Sequence, residues 1–277
     1  MPFHRFRGAV IALVIVAAVF ASAAPLFAQA ATPAPVPAPA IAAARLDAIL
    51  AAGKLRVGTT GDYRPFTSLN KATGQYEGYD IDVALALGKA LGVEVEFVAT
   101  KWPDLSKDFV ADKFDIAMGG VSITLPRQKL GFFSNPIMRE GKTPIARCAD
   151  QEKFASVADI DRPATRVIVN PGGTNEAFAR GNFKAADIRV HNDNTTIFAE
   201  IAEGRADVMV TDASETLFQQ KQHPGVLCAL HPDKPFDFAE KGYWMQRDVA
   251  LLEFVNQWLH IAAETGQTKA IYAKWFQ

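Results

Sequence analysis

Apolar runs of strand length alternate with helical repeats along most of this chain. The run at residues 55–60 precedes Ile81, Leu85 and Leu91, which recur at helical spacing before the next run at 93–98. The pattern predicts strands at residues 55–60, 93–98, 114–118, 166–170, 188–191, 207–210 and 226–230. It predicts helices at residues 81–91, 102–110, 174–182, 195–203, 213–222, 249–265 and 269–276. Such alternation is typical of βαβ units, so we expect an α/β fold with mainly parallel sheets.

Two segments of the chain repeat the same order of features. Residues 109–122 and 201–214 each contain a helix end, a basic residue, an aspartate, an apolar strand and a polar turn. This repetition predicts two similar α/β lobes. Ligands of open α/β sheets bind beyond the carboxyl ends of the strands, so we expect a central ligand cleft between the lobes. The loops predicted to line that cleft are residues 60–66, 119–124, 170–176 and 211–212.

The first 44 residues have the composition of a leader and a tether. Arg5 and Arg7 precede an uncharged apolar run at 9–20, and residues 28–30 read Ala-Gln-Ala, which together predict a cleaved signal peptide at residues 1–30. The alternative is a transmembrane anchor, but the apolar run is short of the roughly 20 residues that a span needs. Residues 31–44 are almost entirely Ala and Pro and predict a flexible tether. We therefore expect a periplasmic protein with no stable membrane anchor after cleavage.

Composition and charge exclude several classes of protein. The 277 residues are 49% hydrophobic and 21% charged, which is typical of a folded chain rather than a disordered one. The formal charge of −1 becomes −3 when Arg5 and Arg7 are removed with the leader. A nucleic-acid-binding protein normally has a basic excess, so we expect no nucleic-acid partner.

The chain has two cysteines, Cys148 and Cys228, and both flank short β-like runs. In an oxidising compartment we favour a single disulfide between them, with two independent buried thiols as the alternative. The five histidines are scattered singly without metal-ligand spacing, so we expect no metal site.

Several motifs resemble the type II periplasmic solute-binding proteins of the amino-acid class. They are residues 55–59 (LRVGT), 62–66 (DYRPF), 78–82 (GYDID) and 270–276 (AIYAKWF). The resemblance implies a two-lobed fold with chain crossings near 142–146 and 235–244. Lobe 1 would then comprise residues 45–143 and 240–277, and lobe 2 residues 144–239.

A narrower resemblance is to the periplasmic cyclohexadienyl dehydratases. It rests on residues 122–128 (SITLPRQ), 139–145 (REGKTPI), 170–180 (NPGGTNEAFAR) and 208–213 (VMVTDA). It implies conversion of prephenate to phenylpyruvate and of arogenate to phenylalanine, without a cofactor, and the chain contains no Rossmann or P-loop fingerprint. The alternative function is that of an amino-acid receptor for an ABC importer. An oligomer is compatible with the sequence.

The resemblance assigns the role of general acid to Glu176, which would protonate the ring hydroxyl that leaves as water. The alternative is a glutamate that stabilises the first turn of a helix. A helix N-terminus lowers the pKa of a carboxyl group, whereas a general acid at neutral pH needs a raised pKa. If Glu176 is the general acid, burial and an anionic substrate must raise its pKa by more than the helix N-terminus lowers it.

Two groups of residues are candidates for binding the substrate carboxylates. Arg127 is expected to hold a carboxylate with both arms of its guanidinium, and Ser122 and Thr124 to donate hydroxyl hydrogen bonds. Gly173 and Thr174 open a helix after a strand, where free N–H groups attract anions. The alternatives are a solvated charge for Arg127 and a simple helix cap for Thr174.

Five further residues are candidates for substrate binding. Asp212 matches the aspartate that holds the ammonium group in amino-acid binders, although it could instead cap the following helix. Lys107 could offset substrate charge or be a solvated lysine. Tyr63, Phe66 and Trp102 could stack on the substrate ring or lie in the cores of the lobes.

Overall fold

The structure, a computed structural model, describes residues 44–277. The predicted signal peptide at residues 1–30 lies outside the described residues, as does the predicted tether except for Ala44. Within residues 44–277, none of the helices has the length and apolar character needed to cross a bilayer. Across the same part of the chain, no three His, Cys, Asp or Glu side chains cluster as metal ligands would.

The described chain forms ten α-helices, one 3₁₀ helix and fifteen strands. The helices are α1 Arg45–Ala52, α2 Tyr79–Leu91, α3 Leu105–Val110, α4 Leu125–Gln128, α5 Val157–Ile160, α6 Thr174–Asn182, α7 Ile197–Ala202, α8 Ala213–Gln222, α9 Val249–Glu264 and α10 Gln267–Phe276, with the 3₁₀ helix at Cys148–Lys153. The strands are β1 Lys54–Thr59, β2 Asp62–Tyr63, β3 Thr67–Leu69, β4 Tyr76–Glu77, β5 Glu94–Ala99, β6 Ile116–Ala117, β7 Phe132–Phe133, β8 Met138–Glu140, β9 Lys142–Arg147, β10 Arg166–Val169, β11 Asp187–Val190, β12 Val208–Asp212, β13 Leu227–Ala229, β14 Ala239–Lys241 and β15 Trp244–Met245.

The first lobe is built on a five-stranded sheet in the order β5-β1-β6-β15-β7. β1 runs parallel to β5 and β6, and β15 runs antiparallel to β6 and β7. Buried apolar side chains of α2 and α9, among them Val83, Leu87 and Val255, pack against Val57 and Ile116 of this sheet. The helices begin where the sequence caps them: Asp248 precedes α9 and accepts a hydrogen bond from the N–H of Leu251 at 2.7 Å.

The second lobe repeats this design on a sheet in the order β11-β10-β12-β9-β13. β10 runs parallel to β11 and β12, and β9 runs antiparallel to β12 and β13. Each sheet therefore has three parallel strands followed by a reversed one, which accounts for the repeated segments in the sequence. The two-lobed α/β fold predicted from the sequence is confirmed.

Two segments of chain connect the lobes and run side by side as an antiparallel ribbon. The chain leaves the first sheet after β7, passes through β8 and enters the second sheet as β9. It leaves the second sheet after β13 and returns through β14 to β15, with Lys241 of β14 opposite Met138 of β8. Lys241 also forms an isolated bridge with Ser122. The ribbon thus brings β14 to the base of the cleft.

The structure contains a central strand that the hydrophobic pattern did not predict. β9 lies between β12 and β13 although it begins with Lys142 and includes Pro144 and Arg147. Charged residues and a proline that cannot donate to the ladder are unusual in a central strand. Its first residues are nevertheless buried, because Lys142 finds charged and polar partners at the cleft.

Cys148 and Cys228 are joined by a disulfide with an S–S distance of 2.09 Å. Cys148 begins the 3₁₀ helix that follows β9, and Cys228 lies in the neighbouring strand β13. The bond therefore links two neighbouring segments of the second lobe.

Candidate active site

The loops at the carboxyl ends of the strands meet between the two lobes. They enclose a cavity of about 20 Å³ lined by Tyr63, Trp102, Gly120, Ser122, Asn170, Gly173, Thr174, Asn175 and Asp212. This volume is roughly that of a single water molecule, whereas ligand pockets are typically about 300–1,000 Å³. A substrate therefore requires the lobes to separate before it can enter.

Six of the eleven residues predicted for the site line this cavity. They are Tyr63, Trp102, Ser122, Gly173, Thr174 and Asp212. The other five lie behind the cavity or away from it, as described below. The four predicted cleft loops therefore do converge on one place.

Asp212 is the centre of the charged side chains at the cavity. It ends β12, its Oδ1 accepts a hydrogen bond from Lys142 Nζ at 2.7 Å, and its Oδ2 accepts one from Lys241 Nζ at 2.6 Å. Tyr63 Oη, from the first lobe, also donates to Oδ2 at 2.5 Å. Burial would raise the pKa of Asp212, but the two lysines hold it well below its ordinary value. Asp212 is therefore a fully paired carboxylate.

Lys142 ties Asp212 to the first turn of α6. Its Nζ donates to Thr174 Oγ1 at 2.9 Å and to Asn175 Oδ1 at 2.5 Å. The amide of Asn175 in turn donates to Asn170 Oδ1 at 3.1 Å. Sequence reasoning missed Lys142 as a site residue, although it lies in the REGKTPI run at residues 139–145.

Lys241 is the second lysine that sequence reasoning missed. It is fully buried on β14, its Nζ lies 3.2 Å from Glu140 Oε1, and it lies 5.0 Å from the centre of the Tyr63 ring. Burial would lower the pKa of Lys241, but the charges of Asp212 and Glu140 outweigh it and raise the pKa. No motif marked this lysine, because its burial depends on the ribbon between the lobes.

Glu215 is a buried carboxyl group in the first turn of α8, and sequence reasoning missed it as well. Only 1% of the residue is exposed, and its Oε2 accepts a hydrogen bond from Thr211 Oγ1 at 2.6 Å. Burial raises the pKa of Glu215 to about 8. The negative charge of Asp212 also raises this pKa, whereas the hydrogen bond from Thr211 lowers it. Glu215 therefore holds its proton at neutral pH.

Glu215 also lies beside a second, larger cavity. This space of about 460 Å³ is lined from both lobes, by Asp62 and Arg64 on one side and by Asn194 and Glu215 on the other. Asn175 Nδ2 donates to Thr211 Oγ1 at 2.9 Å, and Thr211 donates to Glu215. A chain of hydrogen bonds thus connects the carboxyl of Glu215 to the lining of the smaller cavity.

Glu176 is the third residue of α6, as Glu215 is of α8, but Glu176 is partly exposed and paired with an arginine, whereas Glu215 is buried. The Glu176 side chain is 20% exposed, Oε2 accepts from the N–H of Gly172 at 2.7 Å, and Oε1 accepts from Arg180 Nε at 2.8 Å. The Gly172 N–H and the Arg180 charge lower the pKa of Glu176 against the effect of burial. Glu176 does not line the cavity, and it is ionised at neutral pH.

Arg127 and Thr124 lie behind the cavity wall. Arg127 is buried, and its Nη1 donates to the carbonyl of Ser122 at 2.8 Å, the only hydrogen bond of its guanidinium within residues 44–277. Burial lowers the pKa of Arg127 to about 10, and the charge of Asp212 opposes this. Thr124 caps α4 by accepting from the N–H of Arg127 at 3.4 Å. In the closed lobes these residues support the loop that carries Ser122.

The predicted aromatic residues form one stack at the first lobe's side of the cleft. Tyr63 stacks on Phe66 with their ring centres 5.3 Å apart, and the edge of Trp102 meets Tyr63 at 5.6 Å. Phe66 is fully buried beneath Tyr63 and belongs to the core. Lys107 is exposed on α3 and does not line the cavity.

A further buried acid, Asp80, shapes the cleft loop after β6. Its Oδ2 accepts from the N–H groups of Gly119 and Gly120 at 2.9 and 2.6 Å, and its Oδ1 accepts from Tyr243 Oη at 3.0 Å. Burial raises its pKa to about 6. Gly120 has a φ of 73°, and a Cβ atom there would lie 2.4 Å from the Tyr63 ring, so only glycine fits.

Two similar α/β lobes, joined by a two-stranded ribbon and closing on polar loops, define a two-lobed solute-binding protein. The family described as bacterial extracellular solute-binding proteins, family 3, matches residues 55–277. The chain belongs to this family.

Its relatives include both an enzyme and binding proteins. A cyclohexadienyl dehydratase of Pseudomonas aeruginosa is 51% identical over 84% of this chain and 86% of its own length. A single-substitution variant of an ancestral cyclohexadienyl dehydratase, AncCDT-3, is 55% identical, covers 85% of this chain and 98% of its own, and superposes with a TM-score of 0.54. The ancestral amino acid-binding protein AncCDT-1, a precursor of cyclohexadienyl dehydratase, is 38% identical over 84% of this chain and 100% of its own, with a TM-score of 0.77.

Proposed function

We propose that this protein is a cyclohexadienyl dehydratase that converts prephenate to phenylpyruvate and arogenate to phenylalanine. The observation that carries the proposal is Glu215, a buried carboxyl group that is protonated at neutral pH and lies where the two lobes meet. A buried, protonated carboxyl group between the lobes is what a general acid requires. The 51% identity to a dehydratase over most of the chain supports the same conclusion.

The reaction needs an acid at one atom of the substrate. Prephenate loses its ring hydroxyl as water and its ring carboxylate as carbon dioxide, and the ring becomes aromatic. The electrons of the broken C–C bond enter the ring as the C–O bond breaks, so the oxygen must receive a proton as it leaves. A protonated carboxyl group beside that oxygen supplies the proton, an effect worth roughly 10²–10⁴-fold in rate.

Two glutamates compete for this role. The resemblance assigns it to Glu176, whereas burial and the direction of the pKa shift favour Glu215. Glu176 has a lowered pKa and an arginine partner, so it has no proton to give at neutral pH. Glu215 has a raised pKa, and its burial becomes more effective when an anionic substrate excludes water. We therefore assign the general acid to Glu215 and a structural role in α6 to Glu176.

The substrate carboxylates need cations from the protein itself. At a formal charge of −3 for the mature chain, the protein as a whole does not attract a dianion. Lys142 lies behind the cavity lining and hydrogen-bonds to its residues Thr174, Asn175 and Asp212. The guanidinium of Arg127 makes one hydrogen bond within residues 44–277, so it can bind a carboxylate once the lobes separate. Ser122 and the N–H groups around Gly173 and Thr174 add donors.

The lobes and the location of the protein complete the proposal. We assign residues 45–143 and 240–277 to lobe 1 and residues 144–239 to lobe 2, with the ribbon of β8 and β14 as the hinge. The strand β9 of the second sheet begins two residues before the first of these boundaries. The family is described as extracellular, and the leader at residues 1–30 directs the chain to the periplasm, where it is removed. The disulfide agrees with an oxidising compartment.

The test is an assay of the purified protein with prephenate. We expect phenylpyruvate to form at a rate far above the uncatalysed one. The same preparation is titrated calorimetrically with free amino acids, which tests the receptor function. If prephenate is not converted and a free amino acid binds, the protein is a receptor and the proposal is wrong.

A further inference from the structure

Among the described residues that line the small cavity, Asp212 is the only acid. A substrate that carries an ammonium group would seek this carboxylate when it enters. In the structure, however, both oxygens of Asp212 already accept from lysine ammonium groups, those of Lys142 and Lys241. The protein therefore occupies with its own side chains the place that a ligand's ammonium group would take.

The two lysines have different attachments. Lys142 also holds the first turn of α6 through Thr174 and Asn175, so its position is required for the shape of the site. Lys241 comes from the ribbon and holds no helix: its other polar neighbours are Glu140 Oε1 at 3.2 Å and Ser122 Oγ at 3.5 Å. Lys241 can therefore be replaced while the contacts between Lys142 and α6 are kept.

We propose that Lys241 determines which of the two substrates the enzyme prefers. By pairing with Asp212, it favours the 2-oxo acid prephenate over the 2-amino acid arogenate. An amino group that enters beside Asp212 finds no free carboxylate oxygen and adds a third cation next to two lysines, whereas an oxo group adds no charge. Because this inference concerns the substrates of the dehydratase, it rests on the proposed function.

The test compares kcat/KM for arogenate and for prephenate in the wild type and in K241M. Without the Lys241 ammonium, the remaining donor to Asp212 Oδ2 among the described residues is the Tyr63 hydroxyl of the first lobe. That hydroxyl is withdrawn when the lobes separate, so Oδ2 can then accept from the amino group of arogenate. We expect the ratio of arogenate to prephenate kcat/KM to rise by about tenfold or more, as one charge-assisted hydrogen bond allows. K241R, which keeps the charge, should retain the wild-type ratio, as should K269M, the same change at an exposed lysine of α10.

A second variant keeps the test decisive if K241M does not fold. Loss of Lys241 leaves Glu140 buried without its cation, and the double variant K241M/E140Q removes that charge. The glutamine can still accept from the N–H of Ser214, as Glu140 Oε2 does at 3.0 Å. Folding of both variants is checked by circular dichroism. An unchanged or lower ratio in a folded variant overturns the inference.

Failure of the proposed function would give a different result. If the wild type converts neither substrate, the dehydratase proposal is wrong, and the role of Lys241 is then measured by calorimetry alone. L-phenylalanine and phenylpyruvate differ only in the amino and oxo groups, so they report the preference without turnover. A gain in L-phenylalanine affinity relative to phenylpyruvate in K241M supports the role of Lys241, and no gain overturns it.

Discussion

Tyr63 Oη donates a hydrogen bond to Asp212 Oδ2 across the cleft, at 2.5 Å. Tyr63 belongs to β2 in the first lobe, and Asp212 ends β12 in the second. Nearby, Asn194 Nδ2 of the second lobe donates to the carbonyl of Asp62 at 2.9 Å. These contacts hold the lobes together over a cavity that is too small for a substrate, so a substrate that enters must replace them.

The first prediction concerns this contact. Y63F removes the hydroxyl but keeps the ring that stacks on Phe66. We expect the ligand-free protein to open, because a charge-assisted hydrogen bond between the lobes is lost. Small-angle X-ray scattering should give a larger radius of gyration for Y63F than for the wild type. Y76F is the control, since the Tyr76 hydroxyl makes no hydrogen bond within residues 44–277, and equal radii in all three proteins would contradict the prediction.

The second prediction separates the two candidate acids. E215Q replaces the proton donor by an amide of the same shape that can still accept from Thr211, and we expect kcat for prephenate to fall by about 10²–10⁴-fold. E176Q loses an exposed ion pair with Arg180, worth about 0–1 kcal/mol, and should keep nearly the wild-type kcat. Steady-state kinetics of the two matched variants decides between them. The reverse result would assign the acid to Glu176.

The two glutamates show what the sequence could and could not predict. Each is the third residue of a helix that follows a cleft strand, so strand and helix patterns do not distinguish them. The difference lies four residues later, where α6 has Arg180 and α8 has Gln219. Arg180 pairs with Glu176 at an exposed position, whereas Glu215 has no such partner and stays buried near Asp212. If Glu215 is the general acid, as proposed, the spacing of Arg180 from Glu176 is the sequence feature that distinguishes the two glutamates.

The sequence predicted the fold and the cleft loops because both follow from local patterns. Strand runs, helical repeats and polar turns are short-range features, and they indicated seven of the ten strands in the two sheets. The strands β7, β9 and β15 were not predicted. The lysines could not be predicted in the same way. Lys142 and Lys241 are 70 and 29 residues from Asp212 in sequence, and only the tertiary fold buries them beside it. Their strands also lack an alternating pattern, since the partners that bury them are charged.

The third prediction is the pH dependence of turnover. A general acid works in its protonated form, and the pKa of Glu215 in the ligand-free protein is raised to about 8, so kcat/KM should be constant at neutral pH and fall as the pH rises through about 8. If Glu176 were the acid, its lowered pKa would make kcat/KM fall from acidic pH upward. A profile of kcat/KM against pH from about 5 to 10 distinguishes the two. A decline that is complete before neutral pH would contradict the assignment to Glu215.

The fourth prediction concerns the disulfide between Cys148 and Cys228. The bond closes a sequence separation of 80 residues, and its loss increases the conformational entropy of the unfolded chain. We expect the double variant C148S/C228S to lose about 2–5 kcal/mol of unfolding free energy, measured by urea denaturation. Because neither cysteine lines the cavity, the folded variant should keep the wild-type kcat. Addition of a reductant to the wild type should lower its stability toward that of the variant and should leave the variant itself unchanged. Equal stability of the oxidised wild type and the variant would contradict the prediction.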